Sequence, residues 1–276
     1  MTDRVVAVLS GGGVKAAAHL GAVRALVAAG LAPARYVGTS MGAVIGAGLA
    51  AGLSAGEVTE RLLLVRQRDV FAVDRTAVLK GVFARGLLRP EPFRRTLGRL
   101  LPVARFGDLA LPLTVTATDL DSGELLAFGA GGQDAPLLDA LCASCALPPF
   151  FPPYLLHGRR LADGGLRAVV PLEVAARFPA GLVAAVDVGA GFDMDPEPSG
   201  VRTPALLRLQ GDAQWALMAS NTALQRALWN TVPGRPPLLW IRPRVRRGDT
   251  FATEQLRRYI EEGERAANFA LAARKA

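Results

Sequence analysis

Residues 35–52 read RYVGTSMGAVIGAGLAAG, and this stretch decides the fold because a short apolar strand runs directly into a helix of small residues. At their junction Gly38 and Gly42 flank Ser40 in the spacing G-x-S-x-G. Small flanking residues let a strand reverse sharply into a helix, and the serine hydroxyl then projects from the turn. The pattern therefore predicts a strand–turn–helix unit that presents Ser40 as a candidate nucleophile.

The same spacing occurs a second time at residues 52–56, but in different surroundings. Ser54 follows the small-residue helix, and Glu57 completes the S-x-x-E capping box that predicts a new helix over 55–65. Ser54 is therefore interpreted as a helix cap. This leaves Ser40 as the serine to follow.

The pattern of the whole chain predicts an α/β protein, because apolar strand-like runs alternate with helical periodicity over 276 residues. One domain over residues 1–276 is the simplest organisation, with a core at about 4–190 and C-terminal helices with one strand at about 200–276. Strands are expected at 5–9, 35–37, 113–117, 125–128, 160–162, 182–188 and 238–242. Helices are expected at 14–29, 41–51, 55–65, 92–101, 137–145, from 171, 205–229 and 253–273.

The net charge of +8 is concentrated in residues 61–105, which hold 11 basic and 3 acidic side chains. One interpretation is peripheral contact with an anionic membrane, and the other is a solvated helical face. Nucleic acid binding is disfavoured, because the segment has no aromatic stacking platform or known motif. The apolar residues within it either form a lipid-facing cap or pack against the core: Phe71, Val82, Phe83, Leu87 and Leu88.

Targeting signals are weak in this sequence. The apolar run at residues 5–9 is too short for a signal peptide, so a cytoplasmic protein is expected. Through the basic segment, the protein would be peripheral to a membrane. Cys142 and Cys145 form a lone C-x-x-C in a helical run without the second pair that zinc requires. They are interpreted as small apolar core residues.

Gly11, Gly12 and Gly13 lie between a predicted strand and a helix N-terminus, where unpaired amides favour negative charge. They are candidate oxyanion-hole residues. The same residues also fit the dinucleotide fingerprint G-x-G-x-x-[G/A]. That fingerprint expects an acidic residue about 20 positions later, whereas no Asp or Glu lies between Asp3 and Glu57 and only Arg35 could serve a 2′-phosphate.

The base that would activate Ser40 is not fixed by spacing. The chain has only two histidines, His19 inside the first helix and His157 near a predicted hairpin turn. A triad with His157 is one alternative. Asp163, followed by two glycines, is another, although Asp-Gly is also a common hairpin signal. Asp187 at a strand end is a lesser candidate.

Three blocks of the chain resemble, in order, the signature blocks of the patatin-like phospholipases. They are SGGGVK at 10–15 with His19 and Gly21, GTSMG at 38–42, and DGG at 163–165. Two further stretches fit, TDLDSGE at 118–124 and ASCALP at 143–148 before FPP at 151–153, and GLL at 86–88 and IRP at 241–243 fit less closely. The similarity spans about residues 4 to 245.

This resemblance implies a three-layer α/β/α fold with a central, mostly parallel sheet, and a serine hydrolase that cleaves lipid acyl esters. Ser40 would be the nucleophile and Asp163 the base. The amides of Gly11, Gly12 and Gly13 would form the oxyanion hole, supported by Lys15, Gly38, Gly42, Gly164 and Gly165. It implies a lipid or acyl-ester substrate and no metal or organic cofactor.

Two departures from the family pattern bear on activity. Ala16 stands where the family usually has glycine, which is expected to tighten the oxyanion loop. Ala168 and Val169 precede Pro171 where an asparagine is usual, so a hydrogen bond supporting the Asp163 loop is expected to be missing. A catalytically weak lipid- or protein-binding module is therefore the alternative to an enzyme. The kind of ester and the oligomeric state stay open.

Overall fold

Strand β1 (Val5–Leu9) lies at the centre of the sheet, between two strands that run parallel to it, β2 (Pro33–Thr39) and β7 (Leu182–Val186). Every residue of β1 is buried, because helices cover both faces of the sheet, and this explains its uninterrupted apolar sequence VVAVL. The computed structural model describes residues 4–76, 83–192, 205–246 and 253–275.

The sheet has the order β5-β6-β3-β2-β1-β7-β8, with β4 paired to β3. Strands β1, β2, β3, β7 and β8 are parallel, and β4, β5 and β6 add antiparallel pairs at one end. The remaining strands are β3 (Leu113–Asp119), β4 (Leu125–Gly129), β5 (Tyr154–Leu156), β6 (Arg159–Asp163) and β8 (Leu238–Ile241). The predicted mostly parallel sheet is confirmed.

Helices pack on both faces of this sheet and give three layers, α/β/α, as expected. In the described parts of the chain, the first five are α1 (Ala18–Ala28), α2 (Met41–Ala50), α3 (Ala55–Leu63), α4 (Gln67–Val70) and α5 (Pro90–Leu100). The others are α6 (Leu137–Ser144), α7 (Leu172–Ala175), α8 (Ala205–Thr231) and α9 (Leu256–Lys275). The larger apolar core joins Leu9 of the sheet to α1, α2 and α9, and the smaller one joins Val8 to α7 and Trp229 of α8.

The register of β3 brings two distant strand ends together. Thr116 pairs with both Thr39 of β2 and Ala127 of β4, so β2 and β4 lie on opposite edges of β3. Ala117 pairs with both Leu126 of β4 and Asp163 of β6, so β6 lies on the same edge as β2 and directly beyond its end. Ser40, which directly follows β2, and Asp163, the last residue of β6, are therefore neighbours although 123 positions separate them in sequence.

The elements follow the sequence expectations with a few shifts. The helix expected at 14–29 starts as a 3-10 turn, Gly13–Ala17, before α1. Strand β2 is longer than residues 35–37, and the short elements β5 and α4 were not expected. Ser54 accepts the Glu57 N–H at 3.2 Å and Glu57 accepts the Ser54 N–H at 2.8 Å, so the predicted capping box is confirmed.

Candidate active site

Ser40 lies at the turn between β2 and α2 with φ 54° and ψ −132°. A positive φ is costly for a residue with a Cβ, by about 1–3 kcal/mol, and such strain concentrates at functional sites. The flanking glycines permit the turn because a Cβ on Gly38 would lie 2.6 Å from the Ala43 Cα, and one on Gly42 would lie 2.3 Å from the Ser10 carbonyl oxygen. The sharp strand-to-helix turn expected from G-x-S-x-G is present.

Ser40 and Asp163 form a buried hydrogen-bonded pair. The Ser40 Oγ donates to Asp163 Oδ2 at 2.6 Å, and the other carboxylate oxygen, Oδ1, accepts the Gly165 N–H at 2.7 Å. Burial raises the pKa of Asp163 to about 6, although the hydrogen bonds from Ser40 and Gly165 act in the opposite direction. This pKa is closer to neutrality than that of an ordinary aspartate, which makes Asp163 a better proton acceptor for a hydroxyl.

Backbone contacts hold the Asp163 loop where the expected asparagine is missing. The Asp163 N–H donates to the Ala146 carbonyl at 3.0 Å, and the Thr118 hydroxyl donates to the Asp163 carbonyl at 2.9 Å. Further along, the Thr39 hydroxyl donates to the Ala168 carbonyl at 3.0 Å. A Cβ on Gly164 would lie 2.6 Å from the Thr116 carbonyl oxygen, so this loop packs tightly on β3. The loop is thus fixed without an asparagine side chain.

The glycine loop lies beside Ser40, and its three members differ in role. The Gly11 N–H donates to the Val169 carbonyl at 3.0 Å, so this amide anchors the loop. A Cβ on Gly12 would lie 2.7 Å from Val188 Cγ2, and Gly13 has φ 62°, so neither position readily accepts a side chain. The Gly11 amide is therefore already engaged within the protein, and Lys15 lies buried in the 3-10 turn that follows the loop.

His19 and Asp187 support this loop instead of reaching Ser40. His19 Nε2 donates to the Ser10 carbonyl at 2.9 Å, and burial lowers the pKa of His19 to about 4, so its imidazole is neutral. Asp187 accepts the Gly189 N–H at 2.9 Å and forms an ion pair with Arg242 at 2.8 Å. Both side chains fix the backbone around the carboxyl ends of β1 and β7.

His157 is not brought to the site. It lies on the exposed turn between β5 and β6, with φ 51°, and its Nε2 is 3.0 Å from the Asp134 carbonyl oxygen. The Oγ of Ser40 is already bonded to Asp163. The alternative triad with His157 is therefore not formed in this structure.

Three residues at the site were not assigned a role from the sequence. The Ser144 Oγ accepts the Ser40 N–H at 2.7 Å and so fixes the backbone of the strained turn. Cys145, next in the chain, lies against Ser40, and burial raises the pKa of its thiol well above the usual range. Thr116 bonds the Thr39 hydroxyl at 2.7 Å. For Ser144 and Cys145 the available signal was the ASCALP stretch, whose resemblance gave a location but no function, and no signal pointed to Thr116.

An apolar cavity of about 950 Å³, counted to its open mouth, lies over the pair. Ser40 and Asp163 lie in its wall, and the surrounding side chains are almost all hydrophobic. Helices α3 and α5 contribute Leu62, Leu97 and Leu100. Its apolar lining with a few convergent polar groups is typical of a small-molecule site.

The basic segment borders this cavity. Val70 and Phe71 line it, whereas Leu87 and Leu88 are tied to the proline-rich loop through the Phe150 carbonyl, which accepts both their N–H groups. Leu64 is 80% exposed and Phe83 is 86% exposed. Of the residues suggested as a cap, Phe71 therefore faces the cavity, Phe83 faces solvent, Leu88 packs against the core, Leu87 is half-buried, and Val82 lies outside the described residues.

Arg35, which could have served a nucleotide phosphate, and the two cysteines of the C-x-x-C both have packing roles in the structure. Arg35 donates to the Ala130 carbonyl at 3.3 Å and stacks on Phe178, so it is engaged in packing and not in a nucleotide site. Cys142 and Cys145 are free, buried thiols in and after α6, as expected for core residues. Within the four described ranges, no helix has the length and hydropathy needed to cross a bilayer.

Comparison with known proteins identifies the family of this chain. A family model described as patatin-like phospholipase matches residues 7–176, more than half of the chain. An uncharacterized NTE family protein of Mycobacterium tuberculosis is 33% identical over 201 residues, which are 72% of this chain and 53% of that protein. Human patatin-like phospholipase domain-containing protein 6 is 29% identical over 198 residues, 70% of this chain and 14% of that protein.

The fold has a solved counterpart. The crystal structure of VipD from Legionella pneumophila superposes with a TM-score of 0.50 at 16% identity, covering 98% of this chain and 67% of that one. The chain spans about half the length of its mycobacterial relatives. From the matched family model and the sequence blocks that resemble it, this chain belongs to the patatin-like phospholipase family.

Proposed function

We propose that this protein is a lipid acyl-ester hydrolase that uses Ser40 as nucleophile and Asp163 as its only general base. The observation that carries the proposal is the 2.6 Å hydrogen bond from Ser40 Oγ to Asp163 Oδ2 in the wall of an apolar cavity. Family membership supports the hydrolase class, and the geometry supports the two residues.

The first half-reaction makes an acyl-enzyme. The Ser40 Oγ attacks the ester carbonyl carbon while its proton passes to Asp163, and the carbonyl electrons move onto the oxygen. When the tetrahedral intermediate collapses, the ester C–O bond breaks and the leaving alcohol takes the proton from Asp163. The acyl group is left bonded to Ser40.

The second half-reaction reverses these roles with water. Asp163 accepts a proton from a water molecule whose oxygen attacks the acyl carbon. The Ser40 Oγ then leaves with that proton, which releases a carboxylic acid and restores the dyad. One carboxylate thus serves both steps, so no histidine is needed.

The N–H groups of Gly12 and Gly13 are the proposed donors to the oxyanion. The Gly11 amide is already bonded to Val169, whereas the next two residues lead into a 3-10 turn and then α1. Donors preorganised in a water-poor site stabilise a developing negative charge more strongly than water does. Loss of one such donor typically lowers kcat by about 10²–10³.

The apolar lining of the cavity favours a substrate with an apolar acyl chain. The basic segment favours a lipid surface as the source of that substrate. Leu62, Leu97 and Leu100 offer contacts to methylene groups, each worth about 0.8 kcal/mol when buried. The exposed Leu64 and Phe83 lie in the segment with 11 basic residues. Peripheral contact with an anionic membrane through residues 61–105 is part of this proposal.

A fluorophosphonate probe tests the nucleophile directly, because it forms a covalent bond only with an activated serine. Wild type is expected to be labelled, and Ser40→Ala is expected not to be. Ser54→Ala is the matched control, since it alters the second G-x-S-x-G copy, whose serine caps α3. Asp163→Asn is expected to reduce labelling by several orders of magnitude while the protein stays folded.

The outcomes separate an enzyme from a binding module. Folded wild type that takes up no probe and hydrolyses no ester would overturn the enzyme and favour a lipid- or protein-binding role. Labelling that survives in Ser40→Ala would place the nucleophile elsewhere. Labelling that persists in Asp163→Asn but disappears in His157→Gln would reject the dyad in favour of a triad.

A further inference from the structure

A second, smaller cavity lies directly behind the wall of the first. It is a narrow space between α2, α3 and the end of α5, with about 270 Å³ counted to its open mouth and room for about one water molecule inside. Its own lining includes Val44, Gly48, Leu53 and Val58, all small or aliphatic. Such a lining suits a hydrocarbon chain and offers little to a polar ligand.

Three side chains border both cavities: Ile45, Leu62 and Leu100. Ile45 belongs to α2, the helix that begins directly after Ser40, and only 1% of its surface is exposed. Leu62 lies near the end of α3 and Leu100 is the last residue of α5. Two leucines from different outer helices therefore stand between the chamber of Ser40 and the space behind it.

The partition is held in place by a contact between its two helices. The Arg61 guanidinium Nη1 donates to the Leu100 carbonyl at 2.7 Å, which ties the end of α5 to α3 one residue from Leu62. Arg61 also borders the second cavity and puts a charged group in its lining. A hydrocarbon chain that passed the leucines would thus find apolar space of limited depth.

We propose that Leu62 and Leu100 set the length of acyl chain that the enzyme accepts, and that the second cavity is a latent extension of the acyl site. This inference rests on the proposed function, because it concerns the acyl group attached to Ser40. In wild type the end of the chain meets the two leucines. When either is shortened, the space that its side chain leaves joins the narrow space behind it, and a longer chain is buried between α2 and α3.

The test is a series of p-nitrophenyl esters with straight acyl chains from butyryl to palmitoyl, measured as kcat/KM. Wild type is expected to improve by up to about fourfold per added methylene until the chain reaches the partition, and then to decline. Leu62→Ala and Leu100→Ala are expected to move the optimum to longer chains by two or more carbons.

Matched variants exclude general loosening of the fold. Leu63→Ala is the same substitution on the same helix at a residue that borders neither cavity, and it should leave the optimum unchanged. Val58→Phe in the Leu62→Ala background fills the second cavity and should return the optimum toward wild type. Leu62→Val removes one methylene group, and a smaller shift in the same direction is expected if Leu62→Ala does not fold.

Each result decides one question. Wild type that hydrolyses no member of the series refutes the proposed function. Wild type and variants that hydrolyse butyryl esters with the same length optimum refute the partition and leave the proposed function intact. A shift in Leu63→Ala equal to that in Leu62→Ala also refutes it, because the effect would not belong to the two cavities.

Discussion

Asp163 determines the pH response of the proposed chemistry, since it must be ionised to accept the Ser40 proton. Its pKa is raised to about 6 by burial. We expect kcat/KM for a neutral ester to rise about tenfold per pH unit below 6 and to level off above it. The measurement is a pH–rate profile between pH 4 and 8 for wild type and His157→Gln. If the rise of kcat/KM with pH disappears in His157→Gln, the group that titrates is His157 and not Asp163.

The same carboxylate is expected to cost stability at neutral pH. Its folded-state pKa of about 6 lies above the unfolded value of about 3.9, so the folded state binds the proton more tightly. This contribution to stability is fully present below pH 3.9 and is lost as the pH rises through 6, amounting to about 3 kcal/mol.

Asp163→Asn removes that cost, because an amide keeps an acceptor for Gly165 and carries no charge. We predict that this inactive variant is more stable than wild type at pH 7.5, by about 2–3 kcal/mol, with little difference at pH 4. Urea denaturation at both pH values measures it. An equal loss of stability at both would mean that the hydrogen bonds of the carboxylate outweigh its desolvation.

For individual residues, the sequence predicted which ones lie at the site better than it predicted what each of them does there. Ser40 was distinguishable from Ser54 because caps follow local rules, and the capping box of Ser54 is confirmed. The choice among Asp163, His157 and Asp187 could not be made from spacing, since it depends on pairings between residues more than a hundred positions apart. The Gly11 amide was expected to face an oxyanion, but a bond to Val169 occupies it.

Among the elements, α1 and α9 make an unusually close pair through two glycines. A Cβ on Gly21 of α1 would lie 1.8 Å from the Ile260 carbonyl oxygen, and one on Gly263 of α9 would lie 1.8 Å from the Ala18 carbonyl oxygen. The two backbones are therefore in contact, and this contact fixes α9 against the helix that follows the glycine loop.

We predict that Gly263→Ala destabilises the protein by about 1–3 kcal/mol or more, because the new methyl group must push the helices apart. Gly211→Ala is the control, and it is expected to change the free energy of unfolding in the opposite direction. Gly211 lies inside α8 with no atom within 4 Å of its would-be Cβ, so alanine should add up to about 1 kcal/mol. Thermal or urea unfolding of both variants measures these changes in stability. Stabilisation by Gly263→Ala would contradict the close packing.

Element boundaries were predictable where a local signal exists and shifted where tertiary contacts decide. Strand β1 is observed as expected, because a run of five apolar residues beside a glycine loop leaves little choice. Strand β2 starts at Pro33 because pairing with β1 extends it beyond residues 35–37. The short hairpin strand β5 carries only three residues, and its pairing with β6 could not be predicted from so short a segment.

For the whole molecule, charge and exposed apolar side chains coincide at one side of the apolar cavity over Ser40. Arg66 and Arg68 are exposed next to Leu64, which is 80% exposed, while Val70 and Phe71 line the cavity. Arg94, by contrast, is held by Asp139 and by the Tyr154 hydroxyl at 2.6 Å, so its charge is used inside the protein. A membrane role therefore depends on the exposed arginines of the segment.

We predict that the protein binds vesicles containing anionic lipid more tightly than neutral ones, and that the double variant Arg66→Glu/Arg68→Glu weakens this binding by at least about thirtyfold. The reason is that each basic residue near an anionic surface contributes about 1 kcal/mol, and acidic replacements add repulsion. Arg208→Glu/Arg274→Glu makes the same change in net charge outside residues 61–105 and is expected to retain most of the binding. Vesicle flotation at two salt concentrations measures all three proteins, because screening should reduce the wild-type signal. Equal binding by wild type and the Arg66/Arg68 variant would show that the basic segment is a solvated face without a membrane role. The substrate would then have to reach Ser40 from solution.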